Sequence, residues 1–124
     1  MRWLLDTHVL LWAIAAPQNL PPSVRRELHA VEVYVSAASI WEIAIKHSLG
    51  KIQADPHAVL AAVEPAGFKH LAISARHAAA IDRLPALHRD PFDRLLVAQA
   101  LAEPMRLITN DAALAGYGEH VYNI

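Results

Sequence analysis

Short apolar runs of strand length, each stopping abruptly at a polar or charged residue, constrain this sequence more than any other feature. WLLD at 3–6, VYVS at 33–36 and LITND at 107–111 are such runs. They do not alternate apolar with polar residues, so both faces of each strand need cover. Helix-length segments with capping residues at their heads lie between them. Strand–helix alternation of this kind calls for a parallel sheet with helices on both sides.

Along the chain, the first strand runs from Arg2 to Leu5 and Thr7 caps a helix through HVLLWAIAA, closed by Pro17. Pro21-Pro22-Ser23 starts a second helix, SVRRELHAV, and VEVYVS is the second strand. SAASIWEIAIKHSLG is a helix with Gly50 just past its end. Asp55-Pro56 opens another helix to about Ala66, FKHLAIS is the third strand, and SARHAAAIDRL a helix stopped by Pro85. A helix from Asp90 stops before Pro104, followed by the strand RLITND, a short helix DAALAGYG and a last strand HVYNI. No repeat, linker or low-complexity tract interrupts the pattern, so the expectation is one α/β domain over residues 1–124.

Hydrophobic residues make up 55% and charged residues 19% of the 124, which excludes a disordered chain. No apolar run is long enough to span a membrane. Asp6 and His8 break the N-terminal apolar run and no small-residue cleavage site follows, so a signal peptide is not expected. Absence of cysteine removes disulfides and thiolate metal sites and fits a reducing cytoplasm. With a net charge of −1, nucleic-acid binding would have to rest on local basic groups.

Asp6 and Asp111 fall at strand ends, where open α/β sheets bind their ligands. Glu42 lies in the helix after the second strand, and Asp93 in the first turn of the helix before the fourth. Each has a plain alternative. Asp6 and Asp111 can cap helices. Glu42 stands four before Lys46, as in an exposed helical ion pair. Asp90 with Pro91 reads as a helix cap, and Asp93 as its capping-box partner. Against this, Glu42 sits inside IWEIAI and Asp93 shares its side of the helix with Val97 and Ala100. Charges there are costly unless paired or bound to metal, and the helix dipole favours an ionised Asp93. On this reading Asp90 starts the helix and Asp93 points into a cleft shared with the other acids.

Converging carboxylates repel one another, and a divalent cation relieves the conflict. Oxygen ligands suit Mg2+ or Mn2+, and the natural chemistry is phosphodiester hydrolysis. Other chemistries lack support. No HExxH, G-x-S-x-G, P-loop or dinucleotide fingerprint is present, and there are only four glycines. A phosphatase of the strand-end type wants a second acid two residues after the first, where DTH has His8. Trp12 and Trp41 read as core or interface aromatics.

LLDTHVLLW, SIWEIAIK, DPFDRLLVAQA and LITND, in this order and across almost the whole chain, resemble the PIN-domain ribonucleases, most of all the VapC-type toxins of bacterial toxin–antitoxin pairs. The resemblance implies a three-layer α/β/α sandwich with a central, mainly parallel sheet. It implies an endoribonuclease using Mg2+ or Mn2+, with Asp6, Glu42, Asp93 and Asp111 as its catalytic and metal-binding acids and Thr109 in support. Asp6 and Asp93 would be the direct ligands. It further implies an RNA substrate, a VapB-type antitoxin as partner and a cytoplasmic homodimer. Lys46 and Arg94 are candidate phosphate contacts; otherwise Lys46 tethers Glu42 and Arg94 belongs to the surface or an interface. The competing class is a non-catalytic PIN-like module that binds RNA or protein, and an intact set of four acids argues against it.

Overall fold

β1 (Arg2–Leu5) is the middle strand of the sheet, and its burial explains its run of apolar residues. A computed structural model describes residues 1–124. All five strands, β1 with β2 (Glu32–Ser36), β3 (Lys69–Leu71), β4 (Arg106–Thr109) and β5 (Val121–Asn123), pair in parallel in the order β3-β2-β1-β4-β5. Leu4 lies opposite Tyr34 of β2 on one side and Leu107 of β4 on the other. The chain therefore reverses its direction of travel across the sheet at β1, and a crevice opens between the carboxyl ends of β1 and β4.

Side chains alternate across each strand into two apolar layers. Trp3 and Leu5 join Val33, Val35 and Ile108 on one face. α1 (Thr7–Ala15), α2 (Pro22–Glu27) and α4 (Pro56–Val63) cover that face through Val9, Leu10, Val24, Val59 and Val63. Leu4 and Leu107 point the other way, against Leu96, Val97 and Ala100 of α6 (Pro91–Ala102). α3 (Ala37–Ser48) contributes Ala38 to one layer and Ile43 to the other. The result is the expected α/β/α sandwich. No helix is long and apolar enough to cross a membrane.

Several elements differ from the sequence expectation. Asp6, not Thr7, caps α1: its Oδ1 accepts the Val9 N–H at 2.8 Å. The second helix ends at Glu27, and α4 ends at Val63. β3 keeps only three residues of the expected strand because it is an edge, with Lys69 and His70 exposed. SARHAAAIDRL splits into α5 (Ala75–Ala80) and a 3-10 turn, Ile81–Arg83. The segment after β4 is also a 3-10 turn, Ala112–Tyr117. Trp41 is not core: it is 55% exposed, edge-on to Phe92 at 4.9 Å between ring centres.

Candidate functional site

Each acid reaches the crevice because an element begins or ends there. Asp6 follows β1 directly and Asp111 follows β4 by two residues. Asp90 caps α6 by accepting the N–H groups of Phe92 and Asp93 on one oxygen, which sets Asp93 one turn into the helix. Ser36 at the end of β2 caps α3, whose second turn carries Glu42. Asp6, Glu42, Asp90, Asp93 and Asp111 line one cleft of about 330 Å3, with Thr7, His8, Leu11, Lys46 and Ile52. All four sequence-selected acids thus meet in one place.

Protein donors hold the deeper pair. Asp6 is 5% exposed; its Oδ1 caps α1 and its Oδ2 accepts the Thr109 hydroxyl. The Thr109 oxygen in turn accepts the Asp111 N–H at 3.0 Å, so one hydroxyl links the two strand-end acids. Glu42, also 5% exposed, accepts Thr7 Oγ1 on one oxygen and Lys46 Nζ on the other, each at 2.6 Å. Thr7, relieved of capping, is free for this contact, with Ser39 Oγ 3.1 Å from its hydroxyl.

Asp93 and Asp111 are the more open pair. Asp111 uses Oδ1 to cap the 3-10 turn at Ala113 N. His88 lies 2.9 Å from Asp93 Oδ2 and 3.8 Å from Asp111 Oδ2, both through Nε2. Ligand atoms of His88, Asp93 and Asp111 all lie within 4.8 Å of one another, a spacing that suits one cation. Oxygen-rich donors of this type fit a hard divalent ion.

Electrostatics agree with that fit. Burial, with the negative charges of Asp90 and Glu42 nearby, pushes the Asp93 carboxyl up to about 6 against the pull of His88. This corrects the expectation that the helix dipole keeps Asp93 firmly ionised: burial and like charge outweigh it. Burial also raises Asp6, against its hydrogen bonds from Thr109, Val9 and Asn110. The bond to Glu42 raises Lys46. Asp6 and Asp93, two acids that resist ionisation in one cleft, are the setting a divalent cation would relieve.

Lys46 stands in the cleft wall, paired with Glu42. Arg94 does not enter it: its guanidinium donates to the carbonyls of Ile81 and Leu84, 3.1 and 3.4 Å away, and so ties α6 to the preceding turn. Sequence reasoning missed His88 and the Glu42-holding role of Thr7. His88 sits in a loop with no periodic relation to the acids, and its closeness in sequence to Asp93 was the only signal.

The PIN domain family matches residues 3–119. Ribonuclease VapC22 of Mycobacterium tuberculosis is 34% identical over 119 residues, which cover 92% of this chain and 90% of that protein. Among solved structures, VapBC2 from Rickettsia felis, bound to a DNA fragment from its promoter, superposes with a TM-score of 0.74 at 19% identity, over 99% of this chain and 98% of that one. DNA-bound VapBC from Salmonella typhimurium gives 0.68 at 18% identity, over 99% and 98%. The structural likenesses speak for the fold, and the sequence matches run across nearly the whole length: this chain belongs to the PIN-domain family.

Proposed function

We propose that this protein is a divalent-metal-dependent endoribonuclease that hydrolyses RNA phosphodiester bonds with Mg2+ or Mn2+. In this reading it is the toxin of a toxin–antitoxin pair, held inactive by a VapB-type antitoxin, and works in the cytoplasm as a homodimer. The observation that carries the activity is the cleft itself: Asp6, Glu42, Asp93 and Asp111 converge at the carboxyl ends of β1 and β4. Kinship with Ribonuclease VapC22 supports the reaction class. The apolar surface around the exposed Trp41 and Leu60 offers room for a subunit contact.

Asp93 and Asp111 are the residues that would hold the cation; Asp6, expected as a direct ligand, accepts protein donors on both oxygens and stands behind them with Glu42. A divalent ion held there would neutralise charge at the phosphoryl oxygens and make an attacking water more acidic. Thr109 fixes Asp6 relative to Asp111, so the two strand-end acids keep one spacing. Thr7 and Lys46 fix Glu42, whose oxygens then present a constant acceptor to a water in the cleft. Lys46 also brings positive charge to the wall that faces an approaching phosphate.

The test is cleavage of a mixed structured-RNA pool by the purified chain, with Mg2+ or Mn2+ and with chelator, beside Asp93→Asn. Cuts that need metal and vanish in the variant are expected. Cuts that survive Asp93→Asn would overturn the reading.

A further inference from the structure

We propose that His88 is a direct ligand of the metal centre, completing a set with Asp93 and Asp111, and that its nitrogen biases the centre toward Mn2+ over Mg2+. The inference rests on the metal-dependent reading above and adds to it a residue and a metal preference.

Geometry carries it. Nε2 of His88 faces two carboxylates at once, at 2.9 and 3.8 Å. A ring nitrogen that only latched its loop to the protein would need one of them. Adjacent corners of an octahedron with bonds of about 2.1 Å lie about 3 Å apart, close to the His88–Asp93 separation. Asp111 spends Oδ1 on its cap and leaves Oδ2 toward His88, so a small side-chain turn brings the third donor in. No fixed cation serves this pair: Lys46 is taken by Glu42, and Arg94 is turned to the carbonyls of Ile81 and Leu84. By contrast, all four oxygens of Asp6 and Glu42 already accept protein donors. The donors whose ligand atoms lie within 4.8 Å of one another at the open end of the cleft are two carboxylates and one imidazole. Mg2+ favours oxygen and retains its waters, whereas imidazole suits transition ions, so the nitrogen selects between them.

The experiment uses the full chain titrated with Mn2+ and separately with Mg2+ by calorimetry, and pulsed electron paramagnetic resonance of the Mn2+ form to detect a directly coupled nitrogen. His88→Ala, His88→Gln, His8→Ala and Asp93→Asn are run alongside, each checked for fold by circular dichroism. His8 is included because its imidazole lines the cleft. The wild type should show the nitrogen coupling, and His8→Ala should keep it. Both His88 variants should lose it, with Mn2+ binding weakened at least the ~10-fold that losing even an outer partner costs. Mg2+ should weaken less, so that the preference between the ions narrows. Mn2+ binding that depends on Asp93 but carries no nitrogen coupling would overturn the role of His88 and leave the nuclease reading standing. The same holds for a coupling that survives in His88→Ala. A wild type that binds neither ion would overturn both.

Discussion

Helix capping and site-building are one task for the acids of this cleft. Asp6, Asp90 and Asp111 each give one oxygen to a backbone N–H at the start of a helix or 3-10 turn. Their other oxygens remain for the cleft or for Thr109. For Asp111 the plain reading as a cap and the chemical reading as a ligand were alternatives in the sequence, yet its carboxylate caps with Oδ1 and leaves Oδ2 for the cleft. Asp90→Asn should accordingly fold normally, because asparagine also accepts a capping bond, and should lose little stability in a thermal melt. Asp93 caps nothing and is the better probe of chemistry. Its replacement by Asn should cost more than the ~10–100-fold typical of a metal's outer partners in cleavage rate. It also sets a pH dependence. The Asp93 carboxyl moves from 3.8 to about 6 on folding, so the folded protein favours the protonated form. Its contribution to stability is full below about pH 4 and is lost as the pH rises through about 6. Metal-free melting temperature should fall across that window. Asp93→Asn should flatten the fall and melt higher than the wild type at neutral pH; an equal or lower melting point would contradict the burial argument.

Among the elements, α6 repays the closest look. Leu95 to Ala100 are all buried, as its nearly unbroken apolar run implies. One of them is Gln99, fully buried, whose Oε1 accepts Ser36 Oγ at 2.6 Å and whose Nε2 donates to the Ala72 carbonyl at 3.3 Å. This amide ties α6 to the end of β2 and to the stretch after β3, and so fixes the helix that carries Asp93. Gln99→Leu keeps the volume but strands the Ser36 hydroxyl, and should cost about 1–3 kcal/mol in denaturant unfolding. Hydrophobic pattern made β1, β2, β4 and α6 legible, because burial on both faces leaves an apolar signature. Short pieces were not legible to the same degree. β3 is an exposed edge held by three residues, and the turns at Ile81–Arg83 and Ala112–Tyr117 are too brief to display a period. Glu42 and Asp93 stood out as charges in apolar company, and Asp6 and Asp111 as acids at strand ends. His88 did not, because its part in the cluster depends on how a loop folds back, and no local rule encodes that.

At the scale of the whole molecule, charge is unevenly spent. A net charge of −1 hides a cleft where Asp6, Glu42, Asp90, Asp93 and Asp111 face a single Lys46. That field repels an RNA backbone until a cation is added. Single-stranded RNA should therefore bind about tenfold more tightly in Ca2+, chosen to fill the site without supporting cleavage, than in chelator. Fluorescence anisotropy would measure it, and equal affinities would mean that RNA docks elsewhere. The order β3-β2-β1-β4-β5 has a consequence in time as well as in space. Thr109 and Asp6 touch across 103 residues of sequence, and β1 stays unpaired on one side until β4 exists. A ribosome adds Asp6 near the beginning and Asp111 near the end of these 124 residues. Until then Asp6 lacks its Thr109 and Asp93 lacks its neighbour across the crevice. A protein proposed to cut RNA is thus made on RNA with its blade unassembled, and the site can form only once β4 and Asp111 have followed.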